Sequence, residues 1–248
     1  MTLSGKTIII TGACGNVGAA ATDLFYQHGA NLVLVDLHQD SLEQLALNYA
    51  PERCQILAGD LSLEQTNMDM AVLAIDTFGR LDGFLANAAI EGAMGPIGTA
   101  KVEDFDRVMA VNVRSVWLGV KHVSNAMKGN GGSVVITSSI GGITGSPMVS
   151  AYITSKHAVV GIMRALSMEL GSDNIRVNSI HPCGIEGRMI EGIAKMLPAG
   201  AIEASLTRQA FPRLVTPDEV AKLMRFLISD ESLMCTGACY NVDGGYST

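Results

Sequence analysis

Tyr152 and Lys156 stand four residues apart in the segment AYITSK, a spacing that places both side chains on one face of a helix. A tyrosine with a reference pKa of about 10 is a poor base at neutral pH, but a nearby ammonium group favours its phenolate form. At about 4 Å and an effective dielectric constant of roughly 20, this attraction is at most on the order of 4 kcal/mol. The pair predicts a tyrosine general base, with a purely structural pair as the alternative.

The segment TGACGNVG, residues 11–18, lies between a predicted strand and a predicted helix. Gly12 suits the turn, Gly18 permits close packing of helix on strand, and free N–H groups at the helix start suit a pyrophosphate. Asn16 stands where a glycine is usual, and asparagine tolerates a left-handed backbone. The segment predicts a dinucleotide site, with an ordinary strand-to-helix turn as the alternative.

Asp36 ends the second predicted strand, where a carboxylate accepts hydrogen bonds from the adenosine ribose hydroxyls. The same carboxylate repels a 2′-phosphate, and the segments 13–16 and 37–40 offer no Arg or Lys to neutralise one. His38 is weakly cationic at best near neutral pH. NAD is therefore predicted in preference to NADP, and a turn or helix-capping aspartate is the alternative.

The elements that must position these residues alternate regularly along the chain. Strands are predicted over 6–10, 31–36, 54–60, 81–87, 133–139, 175–182 and 238–244, and helices near 17–28, 40–49, 63–78, 101–127, 150–171 and 216–229. This alternation predicts a single α/β domain over 1–248, a Rossmann-type doubly wound parallel sheet with helices on both faces. Residues 183–213 are predicted to be an insertion over the carboxyl edge of the sheet, and Thr216 or Asp218 is predicted to cap the last helix.

Composition excludes several functional classes. The 17 basic and 24 acidic residues give a net charge of −7 without any block of like charge, which argues against a nucleic-acid or anionic-membrane surface. No apolar run is long enough for a secretory or membrane segment, so a cytoplasmic protein is expected. The five cysteines lack paired spacing, and we expect buried reduced thiols and no metal site.

Several segments together resemble the short-chain dehydrogenase/reductase family in its compact form of about 250 residues. They are the glycine segment with Asp36, GDLS (59–62), ANAA (86–89), VNV (111–113), SS (138–139), the YxxxK pair, IRVNSIHP (175–182) and NVDGG (241–245), in order along essentially the whole chain. The resemblance implies a catalytic tetrad of Asn112, Ser139, Tyr152 and Lys156. Tyr152 would exchange the alcohol proton, Ser139 would bond the substrate oxygen, Lys156 would bind the nicotinamide ribose and lower the pKa of the tyrosine, and Asn112 would hold a water.

The resemblance also implies a set of cofactor contacts. Gly12, Asn16 and Val17 would lie near the pyrophosphate, Gly15, Asp36 and Leu37 at the adenosine ribose, Asp60 and Leu61 at the adenine, Asn87 and Ala88 near the adjoining ribose, and Pro182 with Ile185 at the nicotinamide, beside Tyr152 and Lys156. Three segments depart from the family pattern. Besides Asn16, ANAA replaces NNAG, and HPCGIEG carries Cys183 and Gly187 where the family has glycine and a threonine that meets the nicotinamide carboxamide. The nicotinamide is expected to be held more loosely, or by Glu186 or Arg188.

Substrate contacts are expected from 91–94, 140–143, Pro147, Met148 and 184–213. Most of these are apolar, among them Met94, Ile140, Ile143, Met189, Ile190, Ile193, Met196 and Leu197. They favour a hydrophobic alicyclic, aromatic or steroid-like secondary alcohol and its ketone, while Glu91, Glu186, Arg188 and Arg208 leave room for a polar substrate. The alternatives are an NADPH-dependent 3-oxoacyl thioester reductase and a non-catalytic nucleotide sensor. The resemblance further implies a homotetramer assembled through the helices near 101–127 and 150–171.

Overall fold

The computed structural model describes residues 1–195 and 198–248, and within them seven parallel strands form one sheet in the order β3-β2-β1-β4-β5-β6-β7. The strands are β1 Thr7–Thr11, β2 Asn31–Asp36, β3 Cys54–Ala58, β4 Gly83–Ala86, β5 Gly132–Thr137, β6 Ile175–Pro182 and β7 Cys239–Val242. The order reverses between β1 and β4, which is where open α/β sheets bind ligands. The predicted doubly wound parallel sheet is confirmed.

Helices cover both faces because the strands are apolar on both sides. Ile8 and Ile10 pack into one buried cluster and Ile9 into the other, as the alternation of side chains along a strand requires. On the first face lie α1 Asn16–Gln27, α2 Gln39–Ala46 and α9 Pro217–Ile228; on the second lie α3 Glu64–Phe78, α5 Ser115–Met127 and α6 Ser150–Glu169. The site must therefore form at an edge of the sheet.

The predicted helix over 101–127 is interrupted. It consists of α4 Val102–Met109, a π-helical segment Ala110–Arg114, and α5. A π-helical turn accommodates an extra residue and re-aims the side chains around it, and such turns occur often at functional sites. Sequence periodicity does not reveal this segment, because the interruption accompanies a tertiary contact of Asn112 that is described below.

The predicted insertion over 183–213 contains two short helices, α7 Arg188–Ala194 and α8 Ala201–Leu206. It joins the end of β6 to α9, whose N-cap is Thr216 with Glu219 in a reciprocal capping box. Of the predicted substrate contacts, the Met189 side chain, Met196 and Leu197 lie outside the described residues. Among the helices that are described, none is both long enough and apolar enough to cross a membrane.

Candidate functional site

The glycine loop after β1 is packed so closely that side chains at two of its glycines would collide with backbone. A Cβ at Gly18 would lie 2.1 Å from the carbonyl oxygen of Gly12, so α1 can approach the loop only with glycine there. Gly12 has φ +63°, and a Cβ there would lie 2.8 Å from Cα of Ala88. Gly15 is the N-cap of α1 and provides no side-chain acceptor, so the first N–H groups of the helix face the loop without a side-chain cap. This cradle of backbone donors fits a diphosphate.

Asp36 holds its carboxylate over the same loop. Its Oδ2 accepts a hydrogen bond from the Cys14 N–H at 2.9 Å and its Oδ1 accepts one from the Leu37 N–H at 2.7 Å. Each carboxylate oxygen keeps lone pairs for a further donor, as ribose hydroxyls would require. Leu37 is 57% exposed beside it. Asp60 accepts from the Ser62 N–H at 2.8 Å and so closes the turn after β3.

Asn87 ties the ends of three strands together. Its Nδ2 donates to the carbonyl of Thr11 at 3.2 Å, its Oδ1 accepts from the Thr137 hydroxyl at 3.1 Å, and its own N–H donates to the Thr11 hydroxyl at 3.0 Å. The carboxyl ends of β1, β4 and β5 are thereby fixed relative to one another, directly beside Gly12 and Ala88. The amide of Asn87 therefore forms hydrogen bonds that hold the strand ends in place.

Tyr152 and Lys156 project from the first turns of α6, as predicted. The Lys156 Nζ lies 5.5 Å from the centre of the Tyr152 ring and donates to the carbonyl of Thr137 at 2.9 Å. Ser139, two residues after β5, accepts a hydrogen bond from the Gly141 N–H at 3.1 Å, and its hydroxyl oxygen and the Tyr152 ring lie 3.6 and 3.7 Å from the same point, the Cβ position of Gly141. Three of the four predicted tetrad residues are therefore neighbours at the carboxyl edge of the sheet.

The protonation of this pair differs from the sequence-based expectation. Burial raises the pKa of Tyr152 to about 12, the hydrogen bond from Ser139 lowers it in part, and the charge of Glu91 raises it further. Burial also lowers the pKa of Lys156 to about 8. The expected depression of the tyrosine pKa by Lys156 is thus absent from the protein alone, because desolvation outweighs the favourable contacts.

Asn112 is buried in the π-helical segment, and its side chain is engaged by the protein. Its Oδ1 accepts from the Ile90 N–H at 2.8 Å, while its Nδ2 donates to the Ile90 carbonyl at 2.8 Å and to the Ser155 hydroxyl at 3.0 Å. Both amide hydrogens are used in these bonds. The residue joins the loop after β4 to α6 one position before Lys156, so it positions the loop and the helix that carry the site.

Sequence reasoning assigned no role to His181, which is fully buried behind Ser139. Its Nδ1 lies 2.8 Å from the carbonyl oxygen of Ser139 and its Nε2 lies 2.9 Å from the Ser179 hydroxyl. Burial lowers the pKa of His181, which favours the neutral imidazole. The signal in the sequence was the one histidine of the predicted strand 175–182, which stands between Ile180 and Pro182.

The expected substrate side is formed by the loops after β4 and β5, which are joined by a hydrogen bond from the Gly95 N–H to the Met148 carbonyl at 2.8 Å. Met148 has φ +70°, an uncommon conformation for a residue other than glycine. The side chains of Met148 and Ile143 are 47% and 37% exposed. The buried Oε1 of Glu91 has no hydrogen-bond partner among the described residues, and burial raises the pKa of this carboxyl. The expected substrate side thus has exposed apolar side chains and one buried carboxyl oxygen, that of Glu91, without a hydrogen-bond partner among the described residues.

The segment after β6 returns to the glycine loop. Pro182 pairs with Val242, and Ile185 forms a bridge with Val215. The Arg188 guanidinium then crosses to the carbonyl of Cys14, at 3.1 Å. Sequence reasoning missed this cation beside the Asp36 loop, because 174 residues separate Arg188 from Cys14 in the chain.

The five cysteines are free, but the expectation that they are buried is wrong for four of them, because only Cys54 is buried and the others are half-buried. Burial raises the pKa of Cys14 to about 11, with a smaller contribution from Asp36, and burial also raises the pKa of Cys183. Both thiols beside the site are therefore protonated at neutral pH and are weak nucleophiles.

Comparison with known proteins agrees with this geometry. A family model described as enoyl-(acyl carrier protein) reductase matches residues 12–247. The chain is 34% identical to levodione reductase of Leifsonia aquatica over 98% of this chain and 94% of that protein. It is 32% identical to 2,5-dichloro-2,5-cyclohexadiene-1,4-diol dehydrogenase of Sphingobium indicum over 99% of this chain and 98% of the other.

Solved structures agree as well. The crystal structure of levodione reductase superposes with a TM-score of 0.92 at 32% identity, covering 98% of each chain. A short-chain dehydrogenase/reductase from Brucella melitensis gives a TM-score of 0.93 at 31% identity, covering all of this chain and 98% of that one. The chain therefore belongs to the short-chain dehydrogenase/reductase family, a family of oxidoreductases with members that act on secondary alcohols and ketones.

Proposed function

We propose that this protein is an NAD-dependent dehydrogenase that interconverts a hydrophobic secondary alcohol and its ketone. The observation that carries the proposal is the cluster of Tyr152, Ser139 and Lys156 at the carboxyl edge of the sheet, beside a glycine loop that carries the Asp36 carboxylate. A candidate proton-transfer group, a candidate donor for the substrate oxygen and a candidate dinucleotide cradle would therefore lie at the same edge of the sheet.

NAD, when bound, supplies the hydride acceptor and a positive charge on its nicotinamide ring. The glycine loop would hold its diphosphate, Asp36 its adenosine ribose, and Lys156 its nicotinamide ribose. During oxidation the Tyr152 oxygen must be ionised, and the positive charges of Lys156 and of bound NAD would favour that form against the effect of burial. The ionised oxygen would take the proton of the substrate hydroxyl, while the Ser139 hydroxyl would donate to the substrate oxygen and align it. In the reverse reaction Tyr152 returns the proton to the carbonyl oxygen as charge develops there.

The preference for NAD over NADP rests on Asp36. The Asp36 carboxylate would lie against a 2′-phosphate and repel it. Hydrogen bonds from two backbone N–H groups hold this carboxylate in place. Arg188 lies beside this loop, and its contact with the Cys14 carbonyl also suits the diphosphate that both cofactors share. The Asp36→Asn variant is therefore expected to gain activity with NADP relative to NAD.

The exposed apolar residues support the substrate class. Met148 and Ile143 present apolar surface in the segment between β5 and α6, the helix that carries Tyr152, and two relatives are named for levodione and for a cyclohexadiene diol. We therefore favour a cyclic alcohol. Glu91 indicates that a second polar group on such a substrate would be accepted. A 3-oxoacyl thioester reductase is the second candidate, because the matching family model is described as enoyl-(acyl carrier protein) reductase, a description that names an acyl thioester substrate but the enoyl and not the 3-oxoacyl form.

A homotetramer is also proposed. On α5 Trp117 is 49% exposed, and a shallow cavity of about 280 Å³ between α3 and α5 is lined mostly by apolar side chains, including Met68 and Val72. At the end of α6, Met168 is 85% exposed. Light scattering after size exclusion would show a mass near four times 26.1 kDa.

The decisive experiment measures the absorbance of reduced nicotinamide with NAD or NADP against alicyclic, aromatic, steroid and hydroxyacyl alcohols. Tyr152→Phe should abolish turnover, and the matched control Tyr49→Phe, which removes a hydroxyl bonded to Asp23 away from the site, should not. NADP-linked turnover of a hydroxyacyl thioester would favour the acyl reductase. NADH binding without turnover of any substrate would favour a nucleotide sensor.

A further inference from the structure

Two positions that depart from the family pattern, Asn16 and Gly187, meet in space. A Cβ built on Gly187 would lie 1.8 Å from Nδ2 and 2.6 Å from Cγ of Asn16. Such distances are far inside van der Waals contact, so a side chain at position 187 would displace the Asn16 amide from its place. The replacements are therefore coupled, although 171 residues separate them in the chain.

The backbone at Gly187 independently requires glycine. Its φ of +126° and ψ of −165° lie in a region that only glycine adopts at low cost. This turn brings the start of α7 against the glycine loop, and the bond from Arg188 to the Cys14 carbonyl crosses the same gap at 3.1 Å. The two segments that enclose the expected diphosphate site therefore contact each other through the Asn16 side chain.

The Asn16 side chain fills the space that a side chain at position 187 would enter. Asn16 is the first residue of α1, beside the uncapped N–H groups of the loop, and it is exposed in the protein alone. A diphosphate bound by those N–H groups would lie beside its amide. An amide N–H donates well to a charged oxygen, and such bonds are stronger than neutral ones.

We propose that Asn16 is a cofactor-binding residue through its side chain, donating from Nδ2 to the diphosphate of the dinucleotide. This inference rests on the proposed function. It also makes the two positions interdependent: a side chain added at 187 pushes the Asn16 amide off the cofactor, and removing Asn16 makes room for it.

The first test is the affinity for NADH and for ADP-ribose, measured by calorimetry. Asn16→Asp keeps the volume but replaces the donor by a negative charge, so it should weaken binding of both ligands by more than tenfold. Asn16→Gly should weaken both about tenfold, the effect of losing one hydrogen bond to a charged group. Unchanged affinity in Asn16→Asp, or a loss confined to NADH, would overturn the assignment to the diphosphate.

The second test is a double-mutant cycle with Gly187→Ala. In the presence of Asn16 this variant should weaken NADH binding at least tenfold, and in the Asn16→Gly background its effect should fall to about threefold, the remainder reflecting backbone strain. Gly129→Ala is the matched control for strain, because Gly129 has φ +86° with nothing within 4 Å of its Cβ position. Equal effects of Gly187→Ala in both backgrounds would overturn the coupling.

The outcomes separate this inference from the proposed function. If the wild-type protein binds neither NADH nor ADP-ribose, both fail together. If it binds them and turns over an alcohol, but Asn16→Asp binds as tightly as wild type, the proposed function stands and the role of Asn16 falls. Thermal melts of every variant report whether a loss of binding reflects unfolding.

Discussion

Replacing Asn112 by alanine should lower both the stability of the protein and its activity. A matched control variant separates the two effects. The substitution removes the acceptor of the Ile90 N–H and the donor to the Ile90 carbonyl, both at 2.8 Å. Each backbone group left without its partner costs about 1–3 kcal/mol, and these groups are partly buried, so the free energy of unfolding should fall by about 2–4 kcal/mol. The loop that carries Glu91 would lose its tie to the π-helical segment.

Asn178 provides a matched control. It is fully buried, accepts from the Ala238 N–H at 3.2 Å and donates to the Cys235 carbonyl at 2.7 Å, so Asn178→Ala removes one acceptor and one donor of the same kinds. These bonds join β6 to the segment before β7, at a distance from Tyr152 along the strand. The stability loss should therefore be similar and the effect on catalysis small.

The assay combines urea unfolding with steady-state kinetics at a temperature where both variants are folded. Asn112→Ala should lower kcat/KM at least tenfold and Asn178→Ala less than twofold. An Asn178→Ala variant that loses as much activity as Asn112→Ala would refute the reasoning, since the loss would then follow from stability alone. Wild-type kinetics in a folded Asn112→Ala variant would refute it as well.

Two further predictions concern charge and packing. The pKa of Tyr152 is raised first by burial and further by the negative charge of Glu91, so Glu91→Gln should lower that pKa and move the acid limb of the pH profile for alcohol oxidation to lower pH; a shift to higher pH would contradict this. Gly18→Ala places a Cβ 2.1 Å from the carbonyl oxygen of Gly12, so NADH affinity should fall at least a hundredfold in a fluorescence titration, and a near-normal affinity would show that α1 shifts at little cost.

The fold followed from the sequence because its signals are local. The apolar run at 8–10 is buried on both faces of the sheet, and the helices between strands carry regular periodicity, so a doubly wound parallel sheet was predictable. The neighbourhood of Tyr152, Ser139 and Lys156 followed from a motif. The predicted ends of strands 31–36 and 175–182 match the structure, and other strand and helix ends differ by up to three residues, because the last hydrogen bonds of an element depend on its neighbours.

What the sequence did not predict depends on contacts between distant residues. The π-helical segment accompanies the bond of Asn112 to Ile90, 22 positions away, and the approach of Arg188 to Cys14 spans 174 positions. The raised pKa of Tyr152 is likewise a property of the packed site, because burial determines its direction. Residue types and spacing alone do not encode these effects.

The tie between Gly95 and Met148 has a consequence for how such a protein diversifies. The loops after β4 and β5 are joined to each other by a backbone hydrogen bond. The backbone carbonyl of Ser139 is instead hydrogen-bonded to His181, in the interior of the sheet. The loops that would contact a substrate and the residue that would bind its oxygen are therefore held in place by different hydrogen bonds. We therefore expect substitutions of loop side chains to change which alcohol is bound, without changing the positions of the residues that transfer the proton.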